Sequence, residues 1–253
     1  MKNKRVLLSI CLVFGLIKPI LAIDTLSYYY KSIKKESKVF VSEQKDTIQS
    51  TFELRYPVFK HPAWNDLLKK LILEGKYPNY EAFAQAFISE AETANTEEEE
   101  FARPWYGNLS IKVLPQLPAT QTLSFEFFDD QYTGGAHPNT IVEYVNFDVF
   151  SRKSLSKADL IQPFMMARFT YLASTIFRKQ EGLSPTQSLE NYFFENQKFS
   201  LNSNFLITKK GLLFYYNSYE IRSYAEGPME LLVPYTAISG LLKINPYIPK
   251  NLK

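Results

Sequence analysis

The stretch Leu123-Ser124-Phe125-Glu126-Phe127-Phe128-Asp129-Asp130-Gln131-Tyr132-Thr133-Gly134-Gly135-Ala136-His137-Pro138-Asn139-Thr140-Ile141 decides the fold class. Leu123, Phe125 and Phe127 alternate with polar partners, and beyond the loop Ile141, Val145, Phe147 and Val149 do the same. A spacing of two predicts half-buried strands on either side of a turn, with Gly134 and Gly135 supplying positive φ. Upstream, Leu109, Ile111 and Val113 add a third strand-like run. Three such runs in succession read as an antiparallel sheet with one covered face.

Towards the N-terminus, Ile48, Phe52, Leu54 and Tyr56 share one face of a strand whose other face is Thr47, Gln49, Thr51, Glu53 and Arg55. Pro62 opens a helix with Trp64, Leu67, Leu68, Leu71 and Ile72 at helical spacing, closed by Gly75. After the Lys76-Tyr77-Pro78 link, a second helix carries Tyr80, Phe83, Ala84, Phe87 and Ile88. Asp24 to Lys35 reads as a polar lead-in, and Glu97 to Glu100 as a solvated loop without the spaced Asp, Asn and Gly of a calcium site.

Towards the C-terminus, Pro163 starts a third helix with Met165, Phe169, Leu172 and Ile176, and a short helical piece is expected near Leu189 to Phe194. A hairpin follows, with Phe199, Leu201, Phe205 and Ile207 on one arm, a Lys209-Lys210-Gly211 turn, and Leu212, Phe214 and Tyr216 on the other. Met229, Leu231 and Val233 form a last strand ended by Pro234, before a closing helix with Ile238, Leu241 and Leu242. Runs of strands and runs of helices, without strict alternation, predict an α+β fold: antiparallel sheets, helices packed on one face, two closely packed subdomains.

The composition supports a globular chain of 253 residues, 45% hydrophobic and 22% charged, long enough to bury a core without disulfides or metals. Of 29 basic residues, Lys2, Lys4, Arg5 and Lys18 lie in an N-terminal stretch with the order of a signal peptide: basic residues, an apolar run from Val6 to Ile17, then Ile20-Leu21-Ala22. Twelve apolar residues make about 18 Å of helix against a hydrocarbon core of about 30 Å, so cleavage after Ala22 is expected over retention as an anchor. Setting those four cations aside leaves 25 basic against 26 acidic residues, which gives no electrostatic footprint for nucleic acid or anionic lipid. Cleavage also removes Cys11, the single cysteine, and with it disulfides, thiol nucleophiles and Cys-ligated zinc. The expected location is the periplasm or the exterior, with no stable membrane span after cleavage.

Two histidines limit acid-base and metal chemistry. A metal site would at best combine His61, His137 and Asp129 or Asp130, with no helical pair among them, so no metal and no cofactor is expected. There is no Gly-x-Ser-x-Gly, and Gly134-Gly135 is followed by no phosphate-binding pattern. The polar octet Tyr132 to Asn139 nevertheless exceeds what a turn requires. Thirty-nine aromatic residues, with clusters at Tyr28 to Tyr30, Tyr192 to Phe194 and Phe214 to Tyr216, serve either as core with partly exposed strand residues or as a stacking surface for sugars or a protein.

Two segments carry a resemblance. Tyr132-Thr133-Gly134-Gly135-Ala136-His137, and Gly211 to Ile221 continuing through Tyr224-Ala225-Glu226-Gly227-Pro228 to Val233-Pro234-Tyr235, resemble the RsiV-like envelope family, domain of unknown function 3298. Lys38 to Tyr132, with Tyr56-Pro57-Val58 ahead of the helix pair, is similar to the companion domain of that family and of PdaC-type deacetylases, domain of unknown function 4163. The resemblance divides the chain into a signal peptide (1–22), a lead-in (23–37), a PdaC/RsiV-like N-terminal domain (38–132), an RsiV-like C-terminal domain (133–246) and a tail (247–253). In that family an ectodomain binds lysozyme, and in the deacetylases a related domain is joined to a separate catalytic one. This sequence departs from both. Five residues precede the apolar segment, no catalytic domain is expected to follow, and Phe128-Asp129-Asp130 lacks the Gly-Pro of a deacetylase motif. The resemblance thus implies an exported, non-enzymatic envelope binding protein for peptidoglycan fragments or a wall-degrading enzyme such as lysozyme. Its candidate contact residues are Tyr132, Thr133, Gly134, Gly135, His137, Asn139, Tyr216 and Tyr219. The rival reading is an envelope hydrolase or metal-assisted enzyme using His137 with Asp129 and Asp130.

Overall fold

Pro62 starts the first helix, α1 (Pro62–Leu73), because its missing N–H lies where a helix leaves donors unpaired; the His61 ring caps it, Nδ1 accepting from Ala63 N–H at 3.3 Å. At the other end Glu74 takes φ 48 and Gly75 φ 72, the left-handed exit that stops the helix. The second helix, α2 (Tyr80–Glu97), is capped by the Asn79 carboxamide, which accepts from Ala82 N–H at 2.8 Å. These elements belong to a computed structural model that describes residues 26–41, 45–97 and 103–250. The signal-peptide reading and most of the Glu97 to Glu100 reading lie outside the described residues.

Both helices cover one face of a five-stranded sheet built from β1 (Tyr28–Glu36), β4 (Thr51–Phe59), β5 (Tyr106–Val113), β6 (Thr122–Tyr132) and β7 (Asn139–Asp148), in that spatial order. Two-residue strands β2 (Phe40–Val41) and β3 (Thr47–Ile48) form a small separate ladder. Trp64 is fully buried, with Phe59, Phe125 and Phe147 at ring separations of 5.9, 6.0 and 5.9 Å, and Phe52, Leu54, Leu68, Ile88 and Ile111 complete this core.

The α+β reading with mainly antiparallel sheets holds, and two features amend its details. The sheet is antiparallel except at β4 and β5, which run parallel from Thr51 opposite Tyr106, because the helix pair forms the long crossover a parallel pair needs. Most of the expected lead-in is also strand β1, paired antiparallel with β4. Its Tyr30 sits opposite Pro57, which has no N–H to give the ladder, and the Tyr30 hydroxyl reaches past it to accept from Val113 N–H at 3.1 Å.

The remaining chain forms α3 (Lys157–Leu160), α4 (Met166–Gln180), β8 (Phe205–Ile207), β9 (Gly211–Tyr216), β10 (Met229–Pro234) and α5 (Tyr235–Ile238). The three strands order as β10-β9-β8, all antiparallel, and bury Leu212, Phe214, Tyr216, Leu231 and Val233 against Phe169, Ala173 and Phe177 of α4. Gly211 is demanded by contact, since a Cβ there would run into the Val233 carbonyl of β10. No helix forms at 189–194: Leu189 and Phe194 are buried from irregular chain, and the helical turn lies after them at Glu195–Gln197. Phe199 and Leu201 pack on this core without pairing as strand. The closing helix is short, four residues of α5 followed by a 3-10 turn at Ser239–Leu241.

The two apolar clusters divide after β7, Phe147 belonging to the first and Leu155 to the second, so the turn after Tyr132 is internal to the first sheet. The outer edge of β7 faces β8, and asparagine side chains occupy the seam. Asn217 Oδ1 accepts from Val142 N–H at 2.8 Å, Asn204 Oδ1 accepts from Tyr144 N–H at 2.8 Å, and Asn146 Nδ2 donates to the Phe205 carbonyl at 2.7 Å. The described start of the expected tail is also tied in, with Ile248 buried and the Tyr247 carbonyl accepting from the Thr122 hydroxyl at 2.8 Å. Among the described residues no helix is long and apolar enough to cross a membrane.

Candidate functional site

The turn after β6 is braced from behind. Gly134 takes φ +88, its carbonyl accepts from Arg103 Nη1 at 3.2 Å, and the Trp105 indole lies against it. Gly135 has no positive φ, so the left-handed requirement falls on Gly134 alone. Tyr132, the last residue of β6, lies opposite Tyr106 with rings stacked at 6.1 Å.

His137 is the centre of the assembly. Its ring stacks on Tyr224 at 3.7 Å with 16° between planes, Nδ1 lies 2.8 Å from the Pro138 carbonyl, and Nε2 lies 3.2 Å from the Tyr219 hydroxyl. The Tyr224 hydroxyl donates to the same Pro138 carbonyl at 3.3 Å. A tight turn presents Tyr219: Glu220 N–H donates to Asn217 O at 3.1 Å, and Asn217 N–H donates to Glu220 Oε2 at 2.9 Å. Within it Tyr219 adopts φ 67 and remains 56% exposed. A bulky side chain in the left-handed region is uncommon and persists only where surrounding contacts hold it.

Asp129 and Asp130 diverge. Successive strand residues point to opposite faces, and Asp130 lies on the helix-free face, where its Oδ1 accepts from the Thr140 hydroxyl at 2.6 Å. Desolvation, and then the Asp130 carboxylate, push Tyr106 above its ordinary phenol value. Asp129 lies on the helix-covered face, held by Gln131 Nε2 at 2.7 and 2.9 Å; burial raises its pKa, with Gln131 opposing. The two carboxylates therefore do not share a cleft. The hydrolase reading required both beside His137, whose ring nitrogens instead meet the Pro138 carbonyl and the Tyr219 hydroxyl. His61 is spent on the α1 cap, and among the described residues no three His, Cys, Asp or Glu side chains gather as a metal set.

Of the residues singled out from sequence, the structure brings Tyr132, Gly134, His137 and Tyr219 to one surface, with Thr133, Gly135 and Asn139 exposed on the turn. Tyr216 is a correction: it is 1% exposed, faces the second core and donates its hydroxyl to the Ser200 carbonyl at 2.7 Å. The strand alternation that buries Phe214 buries Tyr216 too. Sequence reasoning missed Tyr106 and Tyr224 as contact residues. Tyr224 stands inside the second resembling segment, but nothing local marks it as the face on which His137 rests. Farther along, the helix-free faces of the two sheets meet where Tyr144 packs edge-on to Tyr215 at 5.9 Å.

A groove of about 270 Å³ opens beside this seam, lined by Tyr144, Asn146, Ser154, Lys157 and Ser203 among others. Lys157 is not free in it. Its Nζ donates to the carbonyls of Leu201 and Asn202 at 2.7 and 2.6 Å, and burial lowers its pKa.

The model of the deacetylase PdaC family matches residues 41–140, and that of the protein of unknown function DUF3298 matches residues 150–236. The chain carries a PdaC domain followed by a DUF3298 domain. Tyr106, Tyr132 and His137 come from the PdaC domain and Tyr219 and Tyr224 from the DUF3298 domain, so the surface spans the junction of the two. The peptidoglycan-N-acetylmuramic acid deacetylase PdaC of Bacillus subtilis is 23% identical over 265 residues, covering 97% of this chain and 51% of that protein. The immunogenic protein MPT64 of Mycobacterium tuberculosis is 27% identical over 118 residues, covering 44% of this chain and 48% of that protein. The chain thus spans about half the length of the curated relatives it matches. Crystal structures of DUF3298 family members from Bacteroides fragilis and Pseudomonas aeruginosa superpose with TM-scores of 0.66 and 0.68 at 23% and 19% identity. They cover 88% and 89% of this chain, and 96% and 98% of theirs, and share its fold.

Proposed function

We propose that this protein is a non-catalytic binding module of the cell envelope that receives a peptidoglycan glycan fragment on the tyrosine surface between its PdaC and DUF3298 domains. The observation that carries this reading is Tyr219, an exposed aromatic fixed at φ 67 and hydrogen-bonded to a histidine that is itself stacked on Tyr224. A rigid ring offers a large contact area at little entropic cost, and its hydroxyl gives direction to a polar ligand. Tyr106 and Tyr132 extend the aromatic area, and Asp130 and Thr140 add polar groups beside it. The name of the Bacillus relative, a peptidoglycan deacetylase, supports the choice of ligand. The order of the first 22 residues supports export to the periplasm or beyond, where such a ligand is met.

The test is calorimetry of the exported protein with purified muropeptides, and separately with lysozyme. Muropeptide binding that weakens by about 1 kcal/mol or more in Tyr219→Ala, with an unchanged melting temperature, is expected. Binding of lysozyme alone would replace the glycan by a protein partner, and no binding of muropeptides at all would overturn the reading.

A further inference from the structure

We infer that His137 fixes the hydrogen-bonding polarity of Tyr219, so that the surface accepts hydrogen bonds from amide N–H groups of its ligand, and that protonation of His137 inverts this preference. The inference rests on the reading above for its ligand and on geometry alone for its mechanism. A backbone carbonyl can only accept, so the 2.8 Å contact between His137 Nδ1 and Pro138 O places the ring proton on Nδ1. In neutral imidazole Nε2 then carries a lone pair, and the Tyr219 hydroxyl 3.2 Å away must be the donor. With its one proton turned inward, the exposed Tyr219 oxygen shows only lone pairs to solvent. It is built to receive a ligand group that can only donate, such as an acetamido N–H, since a sugar hydroxyl turns to suit either polarity.

Protonation places a second N–H on the ring, and Nε2 becomes a donor to Tyr219. The phenolic proton is displaced outward, where it opposes a ligand donor and favours a ligand acceptor. The stacked Tyr224 and the nearby Pro138 carbonyl hold the imidazole in plane throughout, so the change is one of proton position and not of ring orientation. The titratable groups packed on His137 are Tyr219 and Tyr224; behind them stand Tyr106 with Asp130, and on the turn Arg103 at the Gly134 carbonyl.

Two measurements test this with an N-acetylglucosamine oligosaccharide as probe. Nitrogen-15 NMR of the imidazoles, with His61→Asn to assign the second signal, should show His137 as the Nδ1–H tautomer at neutral pH. An Nε2–H tautomer overturns the inference whatever the protein binds. Affinity for the oligosaccharide should then be about two- to ten-fold lower in acid than at neutral pH, the loss of one hydrogen bond once Nε2 carries a proton. The step should vanish in Tyr219→Phe, which keeps the ring, and persist in Asp130→Asn. Binding that is independent of pH in the native protein overturns the inference and leaves the binding function standing; binding absent at every pH, with the Nδ1–H tautomer present, overturns the ligand assignment instead.

Discussion

Asn217 meets Val142 as a neighbouring strand would: its Oδ1 accepts the Val142 N–H at 2.8 Å and its Nδ2 donates to the Val142 carbonyl at 3.1 Å. A carboxamide has the same donor and acceptor as a peptide group, so it can end a ladder where no strand follows. Asn204 repeats the device one step along, accepting from Tyr144 N–H and donating to the same Val142 carbonyl at 2.7 Å. The edge of β7 is thereby satisfied by the domain it packs against.

Because Asn204 and Asn217 share one acceptor, their contributions are coupled. Asn217→Ala and Asn204→Ala are each expected to cost about 1 to 3 kcal/mol by orphaning a backbone N–H, and the double variant to cost a sum that is not additive. A double-mutant cycle by urea denaturation checks this; strict additivity contradicts the shared carbonyl.

Three glycine substitutions should rank by what a Cβ meets. Gly211→Ala places one against the Val233 backbone and should prevent the β9–β10 pairing. Gly107→Ala brings one within 2.5 Å of Phe52 Cδ2 and 3.1 Å of Phe87 Cε2, an overpacking that costs about 1 to 3 kcal/mol. Gly134→Ala has room, with Trp105 Nε1 at 3.6 Å, and suffers only from its positive φ, about 1 kcal/mol. Melting temperatures should fall in that order, by about 2 to 4 °C per kcal/mol in a chain of this size.

Alkaline pH should unfold the protein through its tyrosines. Burial pushes Tyr80, Tyr144, Tyr216 and Tyr235 well above the ordinary phenol value, and burial together with the hydrogen bond to Glu181 pushes Tyr192 up to about 12. Above about pH 10 the unfolded chain has lost phenolic protons that the folded one keeps, so the free energy of unfolding falls as pH rises. This stabilisation is complete below about pH 10 and is lost as the pH climbs through the raised folded values. Phenolate absorbance should therefore rise together with the loss of circular dichroism, and Tyr192→Phe should make the decline shallower.

Core truncation offers a fourth check. Leu68 and Phe125 are both fully buried in the first cluster, and Leu68→Ala or Phe125→Ala should destabilise by about 2 to 5 kcal/mol through the cavity left behind. A smaller loss in chemical denaturation would mean that α1 collapses onto the gap.

Alternation and helical spacing exposed most elements, because Phe125, Phe147, Trp64 and Phe214 are core residues whose periodicity follows from their burial. The edge strand β1 was illegible for the complementary reason. Its Lys31, Lys34 and Lys35 serve an edge that must not recruit another strand, and they erase the apolar alternation that would announce it. The parallel pair was hidden because strand direction depends on what intervenes, here the α1–α2 crossover. The turn from Tyr132 to Asn139 stood out in the sequence, yet its partners Tyr219 and Tyr224 lie some eighty residues away, and a stack between domains leaves no local pattern. Tyr216 is misplaced because the aromatic cluster is read as a surface although the alternation with Leu212 and Phe214 already puts it on the buried face.

The seam between the domains also carries a clock. Asparagine amides are among the thermally labile side chains, and hydrolysis at Asn217 would exchange the Nδ2 donor for a carboxylate oxygen facing the Val142 carbonyl. Attraction would become repulsion at one of the side-chain contacts through which the two domains meet. Ageing of the folded protein would then register first as a loosening of the PdaC domain from the DUF3298 domain, with each hydrophobic core still intact.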